Sequence, residues 1–129
     1  MSGLLLDTHA LLWWWSNDRR LSPAALEAIA DPAATVHVSA ASAWEIATKH
    51  RSGRLVVPPR VISRFHEEAL AESFHHLPIS YAHACQAALY EVAHKDPFDR
   101  ILAAQAEIES LTLVSLDRAF EEFPVATLW

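Results

Sequence analysis

The sequence predicts a single α/β domain over residues 1–129, built on a parallel sheet with helices on both faces. Two observations predict this class. Short apolar runs alternate with longer segments of helical periodicity along the chain, and strands separated by helices form parallel sheets whose two faces are covered. In addition, 129 residues with 52% hydrophobic composition suit one buried core and no second domain.

The elements follow in a regular order. The β-like runs are GLLLD, TVHVS, HHLPIS, LTLVS and VATLW. The helical segments are one from about Thr8, then SPAALEAIA, SAWEIATKHRSG, VISRFHEEALAESF, YAHACQAALYEVA, DPFDRILAAQAEIES and a short one in DRAFEEF. Ser22-Pro23 and Ser80 are typical helix starts, and Gly53 after three basic residues is a typical helix stop.

Composition excludes several classes of protein. Two glycines are too few for a phosphate-binding P-loop or a glycine-rich dinucleotide turn. Cys85 is the single cysteine, which excludes an internal disulfide and fits a reducing cytosol. The apolar N-terminal stretch has no basic region and is interrupted at Asp7, so it is neither a signal peptide nor a membrane span. We expect a soluble cytoplasmic protein with no membrane contact.

Carboxylates stand at or just beyond the ends of the predicted strands. Asp7 follows LLL, Glu45 lies on the helix after VHVS, and Asp117 follows LTLVS. Asp96 and Asp99 begin the helix that leads into that last strand. In open parallel sheets ligands bind beyond the carboxyl ends of the strands, so these side chains are candidates for one shared site.

Helix capping is the simpler explanation for each of these acids. Asp7, Asp96 and Asp117 are all suited to the N-cap position, and Ser42 to Glu45 has the pattern of a capping box. Capping alone does not select aspartate, because serine, threonine and asparagine cap about as well. The repeated choice of a carboxylate therefore favours a shared site, and the two roles are compatible.

Converging carboxylates need either protons or a bound cation. Negative charges a few ångströms apart repel, so such acids take up protons or bind a metal ion. A set of oxygen ligands without cysteine or histidine at zinc-finger spacing favours Mg²⁺ or Mn²⁺ over zinc. Ions of this kind activate water and neutralise charge on phosphate oxygens, which indicates a phosphodiester substrate.

The chain resembles the PIN-domain family, specifically the VapC-type toxin ribonucleases of toxin–antitoxin pairs. The segments that carry the resemblance are LLLDTHALLW, VSAASAWEIATKHRSGRL, HKDPFDRILAAQA and LTLVSLDRAF. The resemblance places the metal ligands at Asp7, Glu45, Asp99 and Asp117, with Asp96 as a neighbouring acid. It implies a PIN-like three-layer fold with a mostly parallel five-stranded sheet, dependence on Mg²⁺ or Mn²⁺, cleavage of RNA, frequently tRNA, homodimerisation, and inhibition by a small cognate antitoxin.

The resulting hypothesis is hydrolysis of RNA by water that the ion activates. Asp7, Glu45, Asp99 and Asp117 would hold the ion, and Asp96 would act as a ligand or as a base beside it. In-line attack by water needs no 2′-hydroxyl, so the products would carry 5′-phosphate and 3′-hydroxyl ends.

Five further residues are candidates for binding the substrate. They are Ser115, Arg51, Arg54, Arg100 and Arg118. The formal net charge of −6 argues against a general polyanion binder, but bound divalent ions and these local cations would offset it at the site. For the basic cluster after the Glu45 helix, the alternative is ordinary favourable charge at a helix C-terminus.

Two other functions remain open from the sequence. The first is a catalytically silent PIN-fold module that binds RNA or protein. The second is a phosphatase or phosphoacceptor with Asp7 as nucleophile, although His9 stands where such sites place a second acid.

The tryptophans carry two more expectations. Trp13, Trp14 and Trp15 occupy successive positions of one helix, so at least one should be exposed and available as an anchor for a dimer partner or antitoxin. Trp44 is expected in the core.

Overall fold

A computed structural model describes residues 3–129, and its centre is a five-stranded sheet in which each described strand pair is parallel. The strands are β1 (Leu4–Leu6), β2 (Val36–Ser39), β3 (His75–Leu77), β4 (Thr112–Val114) and β5 (Thr127–Leu128). Their order across the sheet is β3-β2-β1-β4-β5, which places β1 at the centre. The predicted fold class is confirmed.

Seven α-helices and one 3-10 helix connect the strands in the described part of the chain. The α-helices are α1 (Thr8–Trp15), α2 (Pro23–Ala30), α3 (Ala40–Arg51), α4 (Pro59–Ser63), α5 (Phe65–Ala71), α6 (Tyr81–Leu89) and α7 (Pro97–Ile108). The 3-10 helix is Arg118–Glu122. Within residues 3–129 no helix has both the length and the apolar character that crossing a membrane would require.

One predicted helix is divided in the structure, and another ends earlier than predicted. The segment predicted as one helix from VISRF onward is divided at Arg64, whose backbone (φ −130°, ψ 35°) separates α4 from α5. Helix α6 ends at Leu89 instead of continuing through EVA, because Tyr90 adopts a non-helical conformation.

Side-chain alternation along β1 creates the two faces of the sheet. Leu4 and Leu6 are buried in one apolar cluster with residues of α1 and α2, whereas Leu5 is buried in a second cluster with Leu102 and Ala103 of α7. This is the two-residue period of a strand, in which neighbouring side chains point to opposite faces. The result is the expected three-layer arrangement of helices, sheet and helices.

Most of the predicted helix ends are confirmed. Ser22 caps α2, and Ser80 caps α6 by accepting a hydrogen bond from the backbone N–H of His83. Gly53 follows α3 with a φ of +77°, a left-handed conformation that glycine adopts at little cost. The predicted capping box at Ser42 is wrong, because α3 begins after Ser39, whose hydroxyl accepts from the Ala41 N–H.

The tryptophan expectations are corrected. Trp13, Trp14 and Trp15 are all partly buried against the main apolar cluster, so none of them is the exposed ring that was expected. Trp44 is 55% exposed, not in the core. The inward face of α3 carries Ala41, Glu45 and Ile46, and position 44 lies outside that arc. Whether Trp13 to Trp15 anchor a partner stays a prediction.

Candidate active site

Asp7 stands at the end of the central strand and is buried. It is the N-cap of α1, and its Oδ1 accepts the Ala10 N–H at 2.8 Å. Burial raises the pKa of Asp7 above its ordinary value, although hydrogen bonds from Ser115 and Ala10 oppose this rise. The Asp7 carboxylate therefore caps a helix and is also poorly solvated when it is charged.

Glu45 is held by two neighbours, one on each carboxylate oxygen. The hydroxyl of Thr8 donates to Oε1 at 2.6 Å, and the ammonium of Lys49 donates to Oε2 at 2.5 Å. Ser42 Oγ lies 3.1 Å from the Thr8 hydroxyl, and Ser42, Thr8 and Glu45 are all buried. The side chain of Glu45 is thus fixed in orientation at the junction of α1 and α3.

Asp96 and Asp99 make different hydrogen bonds at the start of α7. Oδ1 of Asp96 accepts the N–H groups of Phe98 and Asp99, at 2.9 and 3.1 Å, and so caps the helix. Asp99 Oδ2 lies 2.7 Å from His94 Nε2. Burial raises the pKa of Asp99 to about 6, the nearby charges of Asp96 and Glu45 add to the rise, and His94 opposes it. The hydrogen bond with Asp99 in turn raises the pKa of His94.

Asp117 and Asp7 both lie near Ser115. Asp117 is exposed and caps the 3-10 helix, with its Oδ1 accepting the Ala119 N–H at 2.9 Å. Its own N–H donates to Ser115 Oγ at 3.0 Å. Ser115 is buried, and its hydroxyl acts to lower the pKa of Asp7. A contact between Ser115 and substrate stays a prediction.

The acids affect one another electrostatically. The charge of Glu45 contributes to the raised pKa of both Asp7 and Asp99, and the charges of Asp96 and Asp117 contribute to the raised pKa of His94. These charge effects indicate that the side chains lie in the same neighbourhood at the carboxyl edge of the sheet. That they form one site stays a prediction.

The chemistry of this donor set fits a hard divalent cation. Asp7 and Asp99 are carboxyl groups whose charged form is disfavoured by burial and by neighbouring acids, so a cation would stabilise it. As placed in the described chain from residue 3 onward, no three His, Cys, Asp or Glu side chains are close enough together to hold one ion. Binding an ion would therefore require rotation of side chains, and the assignment of ligands stays a prediction.

The predicted substrate-binding arginines differ in their surroundings. Arg51, Arg54 and Arg118 are exposed. Arg54 also lines a cavity of about 260 Å³, together with Glu45 and Lys49. Their role in binding RNA stays a prediction.

Arg100 has a different task from the one expected. Its guanidinium donates to five backbone carbonyls, at distances from 2.6 to 3.4 Å. The acceptors are the carbonyls of Ala87, Ala88, Tyr90, Val92 and His94. Because a guanidinium has five N–H donors, this arrangement leaves none for a phosphate. Arg100 is therefore a structural residue here, and the expected substrate contact is not supported.

Four residues of the site were not predicted as site residues from the sequence. They are Thr8, Ser42, Lys49 and His94. Lys49 lies four residues after Glu45, a spacing that brings two helical side chains together and was a usable signal. Thr8 meets Glu45 across 37 positions of the sequence, a contact that only the tertiary fold defines.

The raised pKa of Asp99 predicts how pH affects the metal-free protein. Since the pKa is about 6 in the folded chain and 3.8 in the reference state, Asp99 stabilises the fold in its protonated form. This stability is present below roughly pH 4 and is lost as the pH rises through about 6. The free energy of unfolding of Asp99→Asn should therefore rise by about 2 kcal/mol relative to that of the wild type as the pH goes from roughly 4 to 7. Urea unfolding in EDTA across this range measures the difference.

Asp31→Asn is the matched control for this experiment. Asp31 is exposed at the end of α2, away from the site acids, so its variant should follow the wild-type pH profile. A constant difference between Asp99→Asn and the wild type at all pH values would contradict the assignment.

Comparisons with known proteins identify the family of the chain. Residues 4–126 match the family model described as PIN domain. Ribonuclease VapC22 of Mycobacterium tuberculosis (strain ATCC 25618 / H37Rv) is 34% identical over 119 residues, which cover 92% of this chain and 89% of that protein.

Solved structures share the fold at low sequence identity. The crystal structure of VapBC2 from Rickettsia felis bound to a DNA fragment from their promoter has a chain with a TM-score of 0.69 and 14% identity, covering 97% of this chain and 96% of that one. A toxin–antitoxin complex from Klebsiella pneumoniae has a chain with a TM-score of 0.61 and 18% identity, covering 98% and 97%.

Proposed function

This chain belongs to the PIN-domain family, and we propose that it is the toxin ribonuclease of a toxin–antitoxin pair. The proposed reaction is hydrolysis of RNA phosphodiester bonds by a Mg²⁺- or Mn²⁺-dependent endoribonuclease of the VapC type, giving 5′-phosphate and 3′-hydroxyl ends. The proposed domain spans residues 1–129. The name of the relative that is 34% identical supports the ribonuclease assignment.

The observation that carries the proposal is the group of mutually interacting acids at the carboxyl edge of the sheet. Asp7 and Asp99 both have a raised pKa, and Glu45 contributes to each rise. Structural ion-pair networks also shift pKa values, but here neighbouring acids contribute to each rise. In the described part of the chain, these carboxylates form two side-chain pairs with basic residues: Lys49 with Glu45, and His94 with Asp99.

Each residue has a defined task in this proposal. Asp7, Glu45, Asp99 and Asp117 would hold the ion, which supplies a more acidic water and neutralises charge on the phosphate. Thr8 orients Glu45, and the Ser115 hydroxyl favours the charged form of Asp7. Asp96 fixes the first turn of α7 and so places Asp99.

We also propose a small cognate antitoxin as partner and a homodimer as the active assembly. Support for the antitoxin comes from structures of this fold that were solved as VapBC2 bound to a DNA fragment from their promoter and as a toxin–antitoxin complex. RNA is the proposed substrate, with tRNA as the proposed class, and the cytoplasm is the proposed location.

The chemistry of the product ends tests the reaction. Purified protein is incubated with total RNA and Mn²⁺ or Mg²⁺, with and without excess EDTA, and the ends of the fragments are sequenced. We expect cuts at defined positions that bear 5′-phosphates and disappear with EDTA. Fragments with 2′,3′-cyclic phosphate ends would contradict hydrolysis by activated water. RNA binding without any cleavage would identify a non-catalytic binding module instead.

A further inference from the structure

Lys49 supplies positive charge to the acidic site from within the chain. Its ammonium lies 2.5 Å from Glu45 Oε2, one helical turn along α3. The Glu45 side chain is only 7% exposed, and Asp7 is a second buried carboxylate that interacts with it. A buried carboxylate beside another acid needs a nearby cation or a proton. In the metal-free protein Lys49 is that cation.

The two partners of Glu45 differ in how easily they can leave. Thr8 donates to Oε1 and is buried in the first turn of α1, directly after Asp7. Lys49 has a flexible stem, and its side chain is 29% exposed. The cavity of about 260 Å³ that Glu45, Lys49 and Arg54 line gives the ammonium a place to move to. A cation that needs Glu45 Oε2 can therefore displace Lys49 without disturbing the fold.

We propose that Lys49 is an exchangeable counter-ion that occupies Glu45 until a divalent metal ion replaces it. The ammonium then moves into the cavity, where Arg54 is also present. This rests on the proposed function, because that function supplies the ion. The competing role, in which Lys49 stays bound and only orients Glu45, makes the opposite prediction for metal affinity.

The affinity for Mn²⁺ distinguishes the two roles. Protein stripped with EDTA and dialysed is titrated with Mn²⁺ by calorimetry, for the wild type, Lys49→Met and the control Arg64→Met. Arg64 is an exposed cation at the α4–α5 junction, so its variant changes the net charge equally. We expect Lys49→Met to bind Mn²⁺ about tenfold more tightly, since a unit charge no longer competes for Glu45. Weaker binding by Lys49→Met would overturn the proposal.

Lysine labelling measures the release of Lys49 from Glu45 and does not depend on enzyme activity. The chain contains two lysines, Lys49 and Lys95, so exposed Lys95 is an internal reference. Trace acetylation followed by mass spectrometry gives the ratio of label at the two positions. We expect Mn²⁺ to raise the Lys49 to Lys95 ratio severalfold in the wild type, because an ammonium held against Glu45 is less accessible to the reagent than one that has moved into the cavity. In Glu45→Gln the ratio should be high without the ion and should not change with it.

The outcomes separate this proposal from the proposed function. If Mn²⁺ binds the wild type and the labelling ratio stays constant, Lys49 remains on Glu45 and the exchange is wrong, while the metal site stands. If calorimetry shows no Mn²⁺ binding by the wild type or by Lys49→Met, the metal dependence itself fails, and the exchange fails with it.

Discussion

Asp7→Asn should lower kcat/KM for RNA cleavage by at least about 10³-fold, because several kcal/mol of transition-state stabilisation depend on the ion that Asp7 is proposed to hold. The same substitution should raise the free energy of unfolding of the metal-free protein at neutral pH. Burial raises the pKa of Asp7, so its ionised form destabilises the fold, and asparagine removes that charge. Asparagine also keeps the N-cap bond to Ala10.

Opposite changes in activity and stability identify a functional carboxylate. They are measured by initial rates on a fluorescent RNA oligonucleotide and by urea unfolding in EDTA. Glu27→Gln is the matched control, because Glu27 is an exposed acid on α2, and both quantities should stay at wild-type values. A loss of stability in Asp7→Asn with activity retained would instead make Asp7 an ordinary helix cap.

Arg100→Ala should destabilise the protein by about 3 kcal/mol or more. Five backbone carbonyls at the end of α6 and in the following loop lose their shared donor, and unpaired carbonyls in partly buried positions are costly. Arg100→Lys should recover little of this, since an ammonium cannot match the fork of a guanidinium. Urea unfolding of both variants measures the effect.

Arg19→Ala is the control for Arg100, because Arg19 is an exposed arginine and its variant should stay within about 0.5 kcal/mol of the wild type. The Arg100 carbonyl partners include His94, which bonds Asp99, so the Arg100 variants should also lose activity. Wild-type stability in Arg100→Ala would show that water replaces the guanidinium, and would restore Arg100 as a candidate for substrate binding.

The fold was predictable from local signals. The short apolar runs that contain LLL and VHVS, and capping residues such as Ser22, Ser80 and Gly53, act over a few residues and are visible in the sequence. The end of α6 at Leu89 was not predictable in this way, because the Arg100 guanidinium binds the carbonyls at that end from another helix.

The site was predictable only in part. The predicted strand ends indicated where the acidic residues lie, but not which side chains form hydrogen bonds with them. The bond from Thr8 to Glu45 and the five carbonyls on Arg100 depend on how helices pack, which residue types alone do not define. Arg100 shows the limit of prediction from residue type. Its position after an acid suggested substrate binding, but its contacts are with backbone carbonyls of the same chain.

Cleavage of total RNA by the wild type and by Asp7→Asn, each with Mn²⁺ and with EDTA, tests the central claim most directly. We expect defined fragments only from the wild type with Mn²⁺, since both the carboxylate and the ion are required. Equal cleavage by the two proteins, or cleavage by the wild type that persists in EDTA, would contradict a metal-dependent nuclease site built on Asp7.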